Sequence, residues 1–66
     1  MGLIRLKELR EEKGLTQKQL GEMFGLDRRT ISVYETGVAE PSIQTIKALC
    51  KFFEVTADYL LGIEDY

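Results

Sequence analysis

Thr16-Gln17-Lys18-Gln19-Leu20-Gly21-Glu22-Met23-Phe24-Gly25-Leu26-Asp27-Arg28-Arg29-Thr30-Ile31-Ser32-Val33-Tyr34-Glu35-Thr36-Gly37 is the stretch on which the fold turns. It opens with a capping box, in which the Thr16 hydroxyl can accept from the Gln19 amide while the Gln19 side chain reaches back to the Thr16 amide. Leu20, Met23 and Phe24 then recur at helical spacing as the apolar stripe of a short helix. Gly25 ends that helix and Leu26 plugs the corner. Asp27 caps a second helix, Arg28 to about Thr36, with Ile31 and Tyr34 turned inward and Gly37 closing it. Helix, glycine-containing turn, helix is the outline of a helix-turn-helix, and the small Gly21 lets the two helices cross closely. Spacing alone is equally compatible with an ordinary helical hairpin in a small bundle.

Working outward, Leu3, Leu6 and Leu9 recur every three residues with Glu and Lys between them, which predicts an amphipathic first helix stopping at Gly14. Beyond the quoted stretch, Thr36 to Pro41 reads as a loop, and Ser42 caps a helix whose inward stripe is Ile43, Ile46, Leu49, Cys50 and Phe53. Thr56 caps a last short helix, Ala57 to Leu61, which Gly62 ends. No segment alternates apolar and polar residues long enough to form a strand. The expected fold is all-α: five helices in one domain spanning residues 1–66.

A chain of 66 residues buries only ~60% of the surface it exposes when unfolded, enough for one core and no deep cleft. The absence of His and the single cysteine, Cys50, exclude an internal disulfide and a His/Cys zinc cluster. They also exclude Ser-His-Asp and Cys-His catalysis. Glu11 and Glu12 read as solvated neighbours and Ser32 has no base to activate it, so neither enzyme chemistry nor a cofactor or metal is expected. Met1-Gly2-Leu3-Ile4-Arg5 breaks its apolar run too soon for a signal peptide, and no stretch nears the ~20 apolar residues of a membrane span. The expectation is a soluble cytoplasmic protein with no membrane partner.

Charge is unevenly placed. Residues 1–34 hold seven bases and five acids, whereas residues 35–66 hold two bases and six acids, so a formal net charge of -2 conceals a basic first part. Such polarity suggests one face for an anionic partner and another for something else.

The segments Leu9-Arg10-Glu11-Glu12-Lys13-Gly14-Leu15-Thr16-Gln17, Leu20-Gly21, Gly25-Leu26, Thr30-Ile31-Ser32, Tyr34-Glu35-Thr36-Gly37, Pro41-Ser42 and Val55-Thr56-Ala57-Asp58-Tyr59-Leu60-Leu61-Gly62 keep a characteristic order and spacing. From Leu6 to Gly62 the chain resembles the Cro/repressor-type (XRE) helix-turn-helix family. The resemblance implies a compact five-helix repressor-like domain that binds double-stranded DNA, usually as a dimer acting on transcription. Two departures stand out: the family favours alanine where Gly21 sits, and Val38-Ala39-Glu40 lacks the bases that relatives often place in that loop.

The major groove admits one α-helix, and the outward set of the second quoted helix is Arg28, Arg29, Ser32 and Val33. An arginine fork matches the O6 and N7 acceptors of guanine, while Val33 suits a thymine methyl. Positions 28, 29 and 33 align, by resemblance, with base-reading positions of phage repressors. Gln17 sits at a helix start where an anion is favoured, and the family uses the matching glutamine on phosphate. Thr16, Lys18, Thr30 and Thr36 are further phosphate candidates. By resemblance, Arg10 and Glu35 form a structural salt bridge joining the first helix to the end of the third.

A homodimer on an inverted-repeat operator is expected, with Phe52, Tyr59, Leu60, Ile63 and Tyr66 as its apolar interface. Cys50 reads as a small buried apolar residue. The alternative is an antitoxin or adaptor that uses the same fold mainly to bind a partner protein, a reading that the net charge favours and Gln17, Arg28 and Arg29 oppose.

Overall fold

Leu3, Leu6, Leu9, Leu20, Ile31, Leu49, Phe53 and Leu60 converge on one core in a computed structural model that describes residues 3–63. Five helices deliver them: α1 (Leu6–Glu12), α2 (Gln17–Met23), α3 (Arg28–Thr36), α4 (Ile43–Phe53) and α5 (Ala57–Leu60). No strand occurs among the described residues. The sequence caps explain the boundaries. Thr16, Asp27, Ser42 and Thr56 each accept from the amide three residues on, satisfying one of the free donors that every helix start presents. The α1 helix has no side-chain cap. Its lead-in is tied instead by Leu3 N–H to the Tyr34 carbonyl at 3.1 Å and Arg5 N–H to the Leu60 carbonyl at 3.2 Å. Leu3 therefore enters the core from that lead-in and not from the helix.

No glycine marks the end of α4. Glu54 closes it in the left-handed region at φ 57, the only non-glycine with positive φ among the described residues. The Val55 amide bonds back to the Cys50 carbonyl at 3.0 Å across this turn. An L side chain there costs ~1–2 kcal/mol, which is why glycine is the usual occupant.

Several inward assignments need correction. Met23 is 55% exposed and Ile43 74% exposed. Leu20 and Phe24 already fill the one covered face of the short α2, and Ile43 opens α4 at the edge of the core. Phe52, expected at the surface, is half-buried: its ring meets Phe24 edge-on at 5.6 Å and Phe53 at 4.9 Å, with the Lys13 ammonium 5.1 Å above it. Leu60, expected in an interface, is fully buried, because the lead-in segment folds over α5. Tyr59 is half-buried beneath the Arg5 guanidinium, Ile63 is exposed, and Tyr66 lies outside the described residues. Cys50 is half-buried against the core, where burial pushes its thiol pKa up and keeps it protonated.

Candidate nucleic-acid interface

In this chain's helix-turn-helix the backbone comes closer to Gly21 than a Cβ would allow. A Cβ at Gly21 would stand 2.5 Å from the Leu26 carbonyl oxygen and 3.1 Å from that of Asp27. The Leu26 amide donates to the Gly21 carbonyl at 2.8 Å, closing the corner, and Gly25 supplies the φ of 70 that the turn requires. Of the helix pairs, α2 and α3 pack most extensively. Ile31 is fully buried between them and the rest of the core, so the register of α3 is set by what it must bury.

A polar network locks α3 from its other end. Arg10 Nε donates to Glu35 Oε2 at 2.6 Å and Nη2 to Oε1 at 3.4 Å, while Nη1 donates to the Leu15 carbonyl at 2.7 Å. Glu35 Oε1 also accepts from Gln17 Nε2 at 3.0 Å. Arg10 and Glu35 are almost wholly covered, with side chains 10% and 4% exposed. The hydrogen bond to Glu35 raises the Arg10 pKa above its ordinary value, against the opposing effect of burial. One carboxylate thus joins α1, the start of α2 and the end of α3. The contacts of Glu35 with Gln17 and of Arg10 with Leu15 were missed by sequence reasoning, since neither has a local signature.

At the start of α3, Asp27 Oδ1 accepts from the Thr30 amide and the Thr30 hydroxyl, both at 2.8 Å. The backbone bond first and the hydroxyl second hold the Asp27 carboxyl below its ordinary pKa, and the nearby Arg29 charge adds to this. The Thr30 hydroxyl proton is thus engaged in the cap. Thr16 is likewise engaged in its capping box, accepting from Gln19 N–H at 3.0 Å and donating its own amide to Gln19 Oε1 at 2.8 Å. Thr36 leans back on the Val33 carbonyl at 3.4 Å.

Arg28 and Arg29 are exposed in the first turn of α3, and neither guanidinium is held in a hydrogen bond or salt bridge among the described residues. Ser32 and Val33 are half-buried one turn further on. Lys18 and Arg28 meet at one surface hollow of about 470 Å³, which Glu22, Leu26 and Asp27 also line. Gln17 uses one of its two amide protons on Glu35. The arrangement offers planar cationic forks on a helix whose axis is fixed at both ends. Among the described residues no cluster of His, Cys, Asp and Glu could hold a metal, and no helix is long and apolar enough to cross a membrane.

Comparison with known proteins agrees with this geometry. A family model described as Helix-turn-helix matches residues 6–60. The chain is 43% identical over 61 residues to the HTH-type transcriptional activator BcrR of Enterococcus faecalis, covering 92% of this chain and 30% of BcrR. It is 36% identical to the HTH-type transcriptional regulator AnsR of Bacillus subtilis (strain 168), covering 97% of this chain and 55% of AnsR. The Bacillus subtilis regulator YgzD, an uncharacterized HTH-type protein, is 33% identical with 92% of both chains covered. The chain thus spans about half the length, or less, of BcrR and AnsR and nearly all of YgzD. With five helices in the expected order and a family match across all of them, the chain belongs to the Cro/repressor-type (XRE) helix-turn-helix family of DNA-binding transcriptional regulators.

Proposed function

We propose that this chain is a cytoplasmic, non-enzymatic repressor that binds an inverted-repeat operator as a homodimer and reads the major groove with α3. The observation that carries the reading is the pair of exposed, unengaged guanidinium groups of Arg28 and Arg29, on a helix positioned by the Arg10–Glu35–Gln17 network. Arg28 or Arg29 forks onto guanine, Ser32 and Val33 flank the read bases, and Gln17 and Lys18 grip phosphate, with Thr16 and Thr36 at the rim. The repressor RstR of Vibrio cholerae and the activator BcrR are both relatives by sequence, and their names point to both modes of control. Repression is the simpler mode, because occupancy of the operator suffices.

Pairing uses apolar surface that survives folding. Ile63 lines a groove of about 240 Å³ with Leu3, Pro41, Ile46 and Leu61. Val38 and Ile43, 79% and 74% exposed, flank Pro41 in the chain. Covering the exposed Val38, Ile43 and Ile63 in a two-fold interface removes apolar area from water, and a dimer of helix-turn-helix domains reads half-sites ~34 Å apart, one turn of DNA. The competing reading, an antitoxin or adaptor, is favoured by the net charge of -2.

Selection of bound fragments from a random duplex pool separates the two. A regulator enriches an inverted repeat, and an adaptor enriches nothing. On the enriched site, Arg28→Ala or Arg29→Ala should cost ~1–3 kcal/mol and relax one base position, while Gln17→Ala weakens all sequences alike. Uniform loss across sequences for both arginines leaves them as phosphate ligands and removes the base-reading role.

A further inference from the structure

Beneath α1 and the α4–α5 turn, Leu9, Phe53, Val55 and Tyr59 floor an open groove of about 560 Å³ whose walls carry Glu12 and Glu54. No residue of α2 or α3 lines it, and the Arg5 guanidinium is held at its Tyr59 end, 4.9 Å above that ring. Leu9 and Phe53 contribute the deepest apolar surface at 7% exposure each, Val55 and Tyr59 are half-buried, and both carboxylates stand in solvent. The volume falls in the range of ligand clefts, but the chemistry is unlike a small-molecule pocket, since two like charges border an apolar floor with few converging donors.

We infer that this groove docks a basic amphipathic segment of another protein. Apolar side chains of the segment rest on Leu9, Phe53 and Val55, and its Lys or Arg side chains meet Glu12 and Glu54, on the side away from the Arg5 guanidinium that covers Tyr59. Charge selects the occupant. DNA is repelled by the two carboxylates, and a second copy offering the same face would set Glu12 and Glu54 against their own kind. A helix with apolar residues at i, i+3 and i+4 and bases between satisfies both floor and walls. The surface lies on different helices from Arg28 and Arg29, so the inference stands independently of the proposed DNA reading. Glu54 also supplies a clean control. It holds a left-handed φ of 57 that glycine adopts without strain, so Glu54→Gly removes a groove carboxylate while favouring the native turn.

The probe is a synthetic helical peptide with leucines at i, i+3, i+4 and i+7 and lysines between, titrated into the isotopically labelled full chain and followed by amide chemical shifts. A matched peptide with glutamates for lysines is the control. Saturable shifts should centre on Leu9, Glu12, Phe53 to Thr56 and Tyr59, with no binding of the glutamate peptide. The Glu12→Gln, Glu54→Gly double variant should bind roughly fivefold more weakly, the combined effect of two exposed ion pairs, with its spectrum native elsewhere. Shifts centred on α2 and α3, equal binding of both peptides, absence of saturation, or unchanged affinity of the folded double variant would each overturn the assignment.

Discussion

Replacing Glu35 by Gln tests whether the Arg10 network sets the stability of the domain as well as the angle of α3. The substitution is nearly isosteric and keeps an acceptor for one guanidinium bond, but removes the charge opposite Arg10. In the native protein Arg10 meets Glu35 at 2.6 Å with its side chain 10% exposed, so the guanidinium has little water to fall back on. Stranding one partner of a buried pair costs ~3–5 kcal/mol. The radius of gyration is only 10.5 Å, which places no group far from solvent, and the lower end, about 3 kcal/mol, is the expected loss. A domain of this size has total stability of only ~3–10 kcal/mol. At ~4–8 °C per kcal/mol, Tm should fall by about 12–24 °C. Thermal and urea melts followed by far-ultraviolet circular dichroism measure it directly. A second arm, Arg10→Met with Glu35→Leu, should be more stable than either single change, because apolar replacement of a whole buried pair leaves no charge uncompensated. A Glu35→Gln variant melting within about 4 °C of wild type, a loss under ~1 kcal/mol, would refute the argument.

Three further outcomes follow from particular contacts. Gly21→Ala gains ~1 kcal/mol of helix propensity but places a methyl 2.5 Å from the Leu26 carbonyl, so a net loss of up to ~2 kcal/mol in urea melts is expected, and a stabilised variant would show that the corner relaxes freely. The folded pKa of Asp27 is depressed, so its contribution is complete above the unfolded value of 3.8 and is lost as pH falls through the lower folded value. Acid titration of wild type against Asp27→Asn should therefore show their stability difference shrinking below that pH, and a constant difference contradicts the charged cap. Ile43→Glu with Ile63→Glu alters residues 74% and 61% exposed, so the fold should persist while sedimentation at tens of micromolar shifts from dimer to monomer; a wild-type monomer there removes the interface.

The sequence by itself determined whatever depends on near neighbours. Thr16, Asp27, Ser42 and Thr56 announced their helices because a cap needs only the amide three residues on, a separation the chain fixes before it folds. Leu20, Ile31, Leu49 and Phe53 declared the core through helical period, and the linear motif around Arg10, Gln17 and Glu35 carried the family. Tertiary structure decided whatever depends on which elements meet. Phe52 is half-covered because the end of α2 brings Phe24 onto its ring, and Leu60 is sealed where the lead-in crosses it, tied by the Arg5 amide to its carbonyl. No period within α4 or α5 contains that information. Ile43 sits on the right stripe yet remains in water, since α4 outruns the core it covers. Gly21 could be read as a small residue from composition, but not as one whose Cβ would strike the Leu26 carbonyl, nor could Glu35 be read as the acceptor of Gln17. Local propensity is written residue by residue, whereas burial belongs to pairs of surfaces that only the folded chain brings together.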